Sequence, residues 1–146
     1  MSPTSALTRC LGEKYRSFAG RASRSEFWWF SLVTWLVCGW LLHTFPFASL
    51  SASVSIVAVL AFAPPWLAVT ARRLHDVGRS GWWQAPALAL LVLAGLLARE
   101  GGITLALGLG LALLVAGFGA WVLSRPGTDG PNRFGPDPLT DPLLVS

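Results

Sequence analysis

Four long runs of apolar residues, none of which contains Asp, Glu, Lys or Arg, constrain this chain more than any other feature. They lie at residues 27–47, 50–71, 82–98 and 103–123, and each approaches the roughly 20 residues that a helix needs to cross a bilayer. Charged residues make up 12% of the chain, against roughly 25% in soluble domains. The sequence therefore predicts an all-α membrane protein with four transmembrane helices.

The segments on either side of these runs have a different composition. Residues 1–22 are basic and contain no apolar run of the kind found in a cleaved signal peptide. Residues 125–146 carry Pro and Gly every few positions, which is typical of turns, and composition leaves open whether this tail is folded or disordered. We predict a basic N-terminal segment (1–22), a four-helix domain (23–124) and a turn-rich tail (125–146).

The basic residues predict how the helices are oriented. Ten of the eleven Lys and Arg residues lie before the first run, between the second and third, or after the fourth, and only Arg99 lies in an alternate loop. Because Lys and Arg concentrate in cytoplasmic loops, we expect both termini and the central polar loop to be cytoplasmic. The helices would then form two hairpins.

Two local patterns predict details of the first and second helices. Residues 23–26, SRSE, fit a capping box in which Ser23 is the N-cap and Glu26 reaches back to it. Pro64-Pro65 should kink or break the second helix, because proline lacks an amide hydrogen and clashes with the preceding turn. The carbonyls freed near Leu60 and Ala61 then need other partners.

Arginines near the predicted cytoplasmic helix ends form the most informative constellation. Arg72 and Arg73 suit the negative end of a helix dipole, whereas Arg21, Arg24 and Arg79 lie near helix starts, where the dipole disfavours cations. Something negative should therefore stand near these three. The carboxylates of the same face are candidates: Glu26, Asp76, Asp129, Asp137 and Asp141.

Two interpretations of this constellation remain open. In the first, the arginines pair with these carboxylates in a network that ties loop and tail together. In the second, free amides at two helix starts and the forked donors of arginine hold a bound anion, and Gly20, Gly78 and Gly81 let the backbone approach it. The network is favoured because it needs no missing partner.

His75 beside Asp76 does not make a catalytic or metal site. No second His and no nearby Cys completes a ligand set, and a lone His next to an Asp is not a triad. We therefore predict no catalytic residue, no metal and no cofactor.

Three polar motifs give the chain a family resemblance. GRASRSEFWWF enters the first run, RRLHDVGRSGWW separates the second and third, and GTDGPNRFGPDP lies in the tail. Together they resemble the bacterial inner-membrane family labelled domain of unknown function 805, over residues 18–138. The resemblance implies a small multi-span inner-membrane protein and no established reaction, substrate or cofactor. Our candidates for binding an anion or a partner fall in these motifs: Arg21, Arg24, Arg72, Arg73, His75, Asp76, Gly78, Arg79, Asn132 and Arg133.

The leading hypothesis is a non-enzymatic bacterial inner-membrane protein whose cytoplasmic motifs form one polar platform. Its expected partners are membrane lipids and, on the cytoplasmic face, an anionic headgroup, a metabolite or a protein, with no nucleic acid. A stripe of small residues at Gly108, Ala112, Ala116 and Ala120 allows close helix packing, within the chain or in a homo-oligomer. The alternatives are a small transporter or channel component, and an interfacial enzyme acting on lipid or phosphate.

Overall fold

A computed structural model describes residues 2–45 and 52–140, and these residues are helical except for the connections and the tail. Residues 46–47 of the first predicted run, residues 50–51 of the second, and Asp141 lie outside the described residues. A π-helical turn at Arg9–Glu13 follows the first helix, and a 3₁₀ turn at Gly81–Trp83 precedes the fourth. The α-helices are α1 (Pro3–Thr8), α2 (Arg24–Thr44), α3 (Ala52–Asp76), α4 (Gln84–Arg99) and α5 (Gly102–Ser124).

Within the described residues, α2, α3 and α5, and α4 together with the 3₁₀ turn before it, are long and apolar enough to cross a membrane. This confirms the predicted all-helical class with four such helices. Helix α3 is the most enclosed, with 39% of its most apolar stretch buried, against 6% for both α4 and α5. Helix α2 packs along α3, and α4 packs along α5. The apolar surface of α4 and α5 is therefore mostly left for lipid to cover.

The start of α2 follows the predicted cap only in part. The Ser23 hydroxyl accepts a hydrogen bond from the Glu26 amide at 3.2 Å, as an N-cap should. The Glu26 carboxylate instead turns towards α3 and pairs with Arg72. The predicted capping role of Glu26 is wrong because a buried guanidinium on the neighbouring helix needs its charge.

Helix α3 continues through Pro64-Pro65, so the predicted break does not form. Proline at position 65 has no amide hydrogen to donate to the carbonyl of Ala61. The hydroxyl of Tyr15 donates to that carbonyl at 2.6 Å. A side chain from the N-terminal segment thus satisfies a backbone group that the proline leaves free, which is how membrane helices tolerate proline.

The end of α3 lies five residues beyond the predicted end of the second run. Arg72 and Arg73, which we expected at the end of this helix, and His75 and Asp76, which we expected in the loop after it, occupy its last turns. The helix stops at Gly78, whose φ of +75° suits glycine. The amide of Gly78 donates to the carbonyl of His75 at 3.0 Å, and that of Arg79 donates to Leu74 at 2.8 Å. This pair of bonds is a Schellman motif.

The small-residue stripe of α5 has two environments. At Gly108, an added Cβ would lie 2.8 Å from the Ala98 nitrogen, so α4 and α5 touch there through backbone. This fits the expected use of small residues for close helix packing. Further along the stripe, Ala116 and Ala120 line a cavity instead.

Candidate functional site

The three polar motifs meet at one end of the four-helix domain in a cluster that we call the polar cap. It comprises Arg9 and Cys10, residues 20–26, the last two turns of α3 with Gly78 and Arg79, and the tail from 125 to 138. At its centre, the Asp76 carboxylate lies between two arginines. Arg21 donates to it through Nε at 2.8 Å, and Arg73 pairs with its other oxygen. The side chains of all three are buried.

Arg73 also holds the end of α5. Its Nε donates to the carbonyl of Leu123 at 2.8 Å, and a second nitrogen donates to the carbonyl of Arg125. The last carbonyls of a helix have no partner within the helix, so Arg73 satisfies groups that would otherwise need water. One side chain thereby joins α3, α5 and Asp76.

Arg21 ties the tail to the same carboxylate. Its two terminal nitrogens donate to the carbonyls of Gly130 and Thr128. The Thr128 amide donates to the Asp76 carbonyl at 2.8 Å. Gly127 lies against the Asp76 carboxylate so closely that a Cβ there would overlap it. The backbone of the tail therefore packs directly against the end of α3.

A second buried carboxylate, Glu26, joins the N-terminal segment to α3. It pairs with Arg72, and Arg9 lies 3.8 Å from its other oxygen. Arg72 also donates to the Cys10 sulfur at 3.7 Å, and its carbonyl accepts from the Ala22 amide at 3.1 Å. Burial, with the nearby Glu26 charge, raises the pKa of Cys10 to about 11. This thiol therefore stays protonated at neutral pH.

The tail is folded onto the cap by one aromatic contact and several turns. The ring of Phe134 stacks on His75, with centroids 4.0 Å apart and planes 3° from parallel. Asn132 donates to the His75 carbonyl at 3.0 Å, and the Asp137 carboxylate accepts from the Gly130 amide at 3.2 Å. Composition left the state of this tail open, and in the structure residues 126–140 form turns held by these bonds.

Among the described residues of the cap, buried arginines outnumber buried carboxylates. Three arginines that are at most 3% exposed (Arg21, Arg72 and Arg73) lie beside two carboxylates that are at most 4% exposed (Glu26 and Asp76). Backbone carbonyls take the remaining donors of Arg21 and Arg73. Removing one partner of such a buried pair costs far more than an exposed pair contributes. The network is therefore a structural lock that leaves an excess of positive charge.

Three arginines surround this lock with their guanidinium groups over aromatic rings, and we call them the rim. Arg79 lies 4.7 Å from the Trp83 ring centroid, Arg125 lies 4.1 Å from that of Trp121, and Arg133 lies 4.6 Å from that of Phe134. Arg133 also donates to the Gly78 carbonyl at 3.3 Å. Within the described residues, no carboxylate forms an ion pair with the rim. Stacking on a ring leaves the edge donors of a guanidinium available.

Comparison with known proteins shows the family of the chain. The model of a family described as Protein of unknown function (DUF805) matches residues 15–136. The chain belongs to this family. The matched part of this DUF805 chain runs from the segment before α2 to the tail and so contains the whole Asp76 cluster. The resemblance inferred from the motifs is confirmed.

Named relatives in Escherichia coli (strain K12) cover most of this DUF805 chain. Inner membrane protein YhaH is 33% identical over 142 residues, which cover 89% of this chain and 93% of YhaH. Inner membrane protein YhaI is 34% identical over 128 residues, covering 86% and 89%. Uncharacterized protein YiiR is 35% identical over 135 residues, covering 83% and 85%. No solved structure matches.

The structure brings most of the predicted site residues together but gives them different roles. Arg21, Arg72, Arg73 and Asp76 form the buried lock, whereas Arg24 is exposed and, among the described residues, adds no hydrogen bond to it. The others lie around it: His75 against Phe134, Asn132 against the carbonyl of His75, Gly78 at the end of α3, and Arg79 and Arg133 in the rim. Among the described residues, Arg79 pairs with none of the candidate carboxylates, and its guanidinium lies over the Trp83 ring.

Sequence reasoning missed several residues of the cap. Arg9, Cys10 and Gly127 were not among the candidates, and Glu26 was named as a possible partner of the arginines but was assigned first to a helix cap. Glu26 and Arg72 are 46 positions apart, so no local spacing signals their contact. The two adjacent arginines at the end of an apolar helix were the available signal. We assigned both arginines to the helix dipole, whereas in the structure they are buried and pair with carboxylates.

The polar side chains of the cap offer few groups for chemistry. Across residues 2–45 and 52–140, no group of three or more His, Cys, Asp or Glu residues is arranged to hold a metal ion. His75 Nδ1 lies 3.1 Å from the Gly20 carbonyl, and its ring is covered by Phe134. This arrangement suits binding and packing better than proton transfer.

Proposed function

We propose that the chain is a non-enzymatic inner-membrane protein with both termini in the cytoplasm, and that its polar cap recognises an anionic phosphate group at the membrane surface. YhaH and YhaI carry the description of inner membrane proteins, which supports this membrane for a chain of the same family. The phosphate belongs either to a lipid headgroup or to a soluble metabolite.

The distribution of basic residues supports the orientation. Arg99, the last residue of α4, is the single Lys or Arg of the sequence near the connections that follow α2 and α4, while the polar cap carries Arg21, Arg72, Arg73 and the rim. Lys and Arg concentrate in the short loops on the cytoplasmic side of the membrane. With the cap in the cytoplasm, α2 with α3 and α4 with α5 make two hairpins.

The rim carries the proposal for anion recognition. The buried arginines use the carboxylates of Glu26 and Asp76, whereas rim arginines lie over aromatic rings with donors left for a ligand. The unbalanced positive charge beneath them adds attraction for an anion. Arginine matches phosphate geometry through its forked donors.

Ion transport is less well supported. In the described parts of α2 to α5, Asp, Glu, Lys, Arg and His occupy the end turns, at Arg24, Glu26, His43, Arg72, Arg73, His75, Asp76 and Arg99. Ion and proton pathways place ionisable groups within the membrane. This distribution favours a binding role.

Lipid titration by native mass spectrometry tests the anion proposal. Each basic residue near an anionic surface contributes about 1 kcal/mol, so Arg125→Gln and Arg133→Gln should each weaken binding of phosphatidylglycerol about fivefold. Arg99→Gln, at the opposite end of α4, is the matched control and should leave binding unchanged. Inorganic phosphate as competitor separates the two sources: displacement of the lipid at millimolar phosphate indicates a soluble ligand. Equal lipid affinity in all four proteins contradicts the proposal.

Reporter fusions at the C-terminus test the orientation separately. Green fluorescent protein should fluoresce and alkaline phosphatase should stay inactive, because both would remain in the cytoplasm. The reverse result would place the cap on the other side of the membrane.

A further inference from the structure

An apolar cavity of about 670 Å³ lies between the α2–α3 pair and the α4–α5 pair. Its volume falls within the roughly 300–1,000 Å³ of ligand sites in proteins. All four long helices contribute to its wall, chiefly through Leu, Val, Ala, Phe and Trp side chains. A cavity of this size and lining suits an apolar chain.

The cavity occupies only the half of the domain next to the polar cap. Its lining on α2 lies at Phe27, Trp28 and Trp35, that on α3 extends from Trp66 to Leu74, and that on α5 extends over 111–123. At 1.5 Å per residue, the α5 wall is about 18 Å long. The hydrocarbon core of a bilayer is about 30 Å thick, or about 15 Å per leaflet. The height of the cavity therefore matches one leaflet.

The polar groups of the cavity favour an anionic head at the cap end. Arg79 is the one charged residue among its described lining, and its guanidinium lies over Trp83, which also lines the cavity. A guanidinium supplies the N–H donors that a phosphate oxygen requires.

We propose that this cavity holds one acyl chain of an anionic phospholipid from the leaflet beside the cap, with its phosphate at Arg79. The inference rests on the proposed function, because Arg79 belongs to the rim, but it adds a defined site inside the membrane domain. The positive charge of Arg79 favours an anionic head group, and the match between the height of the cavity and one leaflet favours an acyl chain.

Small residues of α5 keep the cavity open. Ala116, Gly119 and Ala120 line it, and an added Cβ at Gly119 would meet no atom within 4 Å. A Cβ at Gly119 therefore has room, and a large side chain there is expected to extend into the space of the acyl chain. Gly117 has the same open surroundings and does not line the cavity, so it provides a matched control.

The test measures phosphatidylglycerol and phosphatidylcholine binding to the full chain by native mass spectrometry, after delipidation in detergent. The unmodified protein should retain one tightly bound phosphatidylglycerol. Gly119→Phe should weaken that binding at least about tenfold, since the side chain takes the space of the acyl chain, and Gly117→Phe should not. Arg79→Gln should remove the preference for phosphatidylglycerol, about tenfold for a lost bond to a charged group. Equal binding by Gly119→Phe and Gly117→Phe overturns the inference.

A labelling experiment on the unmodified protein avoids dependence on variants that fail to fold. Phosphatidylglycerol with a photoreactive group in its acyl chain should label peptides from 84–91 and 111–123, and unlabelled phosphatidylglycerol should compete. Retention of a fatty acid or a neutral lipid in place of the phospholipid contradicts the chosen occupant, and labelling that no lipid displaces contradicts the site.

The rim variants separate the two proposals. If Arg125→Gln and Arg133→Gln weaken lipid binding but Gly119→Phe does not, the proposed function stands and the cavity site fails. If Gly119→Phe alone releases the tightly bound lipid, the cavity site stands and recognition by the wider rim fails.

Discussion

The polar cap and the neighbouring cavity lie side by side and are built in opposite ways. In the cap, Arg72 and Arg73 are fully buried and are held by carboxylates and backbone carbonyls from distant parts of the chain. Around the cavity, α4 and α5 bury only 6% of their most apolar stretches. In a membrane, apolar contacts between helices compete with equally apolar lipid. The difference indicates that polar contacts at one end determine how the helices are arranged.

The largest effect should come from removing the central charge of the cap. Asp76→Asn leaves Arg21 and Arg73 buried without their carboxylate, which costs about 3–5 kcal/mol when one partner of a buried pair is lost. Thermal unfolding in detergent, followed by circular dichroism, should show a much lower midpoint. Asp129→Asn changes an exposed carboxylate of the tail and is the control. Similar midpoints for both variants would mean that the buried network does not hold the fold.

Next in size is the second buried pair. Glu26→Gln leaves Arg72 without its carboxylate and should destabilise by about 3 kcal/mol for the same reason. Replacing both partners, as Glu26→Gln with Arg72→Met, removes the unpaired charge and should cost less than the sum of the single variants. A double-mutant cycle of unfolding free energies measures this coupling. Additive effects would show that the two side chains do not act as a pair.

A smaller effect should follow from a single methyl group at the contact between tail and helix. Gly127→Ala places a Cβ against the Asp76 carboxylate, and overpacking of this kind costs about 1–3 kcal/mol. Gly117→Ala, which has open space around its Cβ, should be neutral or slightly stabilising because alanine favours helix. If limited proteolysis cleaves the tails of the two variants equally fast, the tail does not pack on α3.

The smallest effect on stability concerns Cys10, which reports on closure of the cap. Burial raises its pKa from 9.0 to about 11, so the folded state favours the protonated thiol. Its contribution is present below pH 9 and is lost as the pH rises through 11. In a Cys38→Ser background, alkylation at pH 8 should be slow in the folded protein and faster after Asp76→Asn. Rapid alkylation without that change would mean that the cap is open.

The separation of contacting residues along the chain explains which parts of the structure could be predicted from the sequence. The apolar runs and the Ser23 cap are local patterns, and both appear in the structure. The pairing of Glu26 with Arg72 and the placement of Gly127 against Asp76 join positions 46 and 51 residues apart, which no spacing rule connects. Helix α3 does not break at Pro64-Pro65, and the partner that the freed carbonyl of Ala61 was expected to need is a distant hydroxyl, that of Tyr15. The cavity depends on the relative placement of two helix pairs, which composition does not encode.

Hydrogen exchange of the tail amides tests most directly whether the cap is a closed network. In the structure, the amides of Thr128, Gly130, Asn132, Phe134 and Gly135 all donate hydrogen bonds. We predict that peptides covering 126–138 exchange slowly in the unmodified protein, and that Asp76→Asn releases this protection together with that of the Ala22 amide. Exchange of the tail at the rate of an unfolded peptide in the unmodified protein would contradict the account.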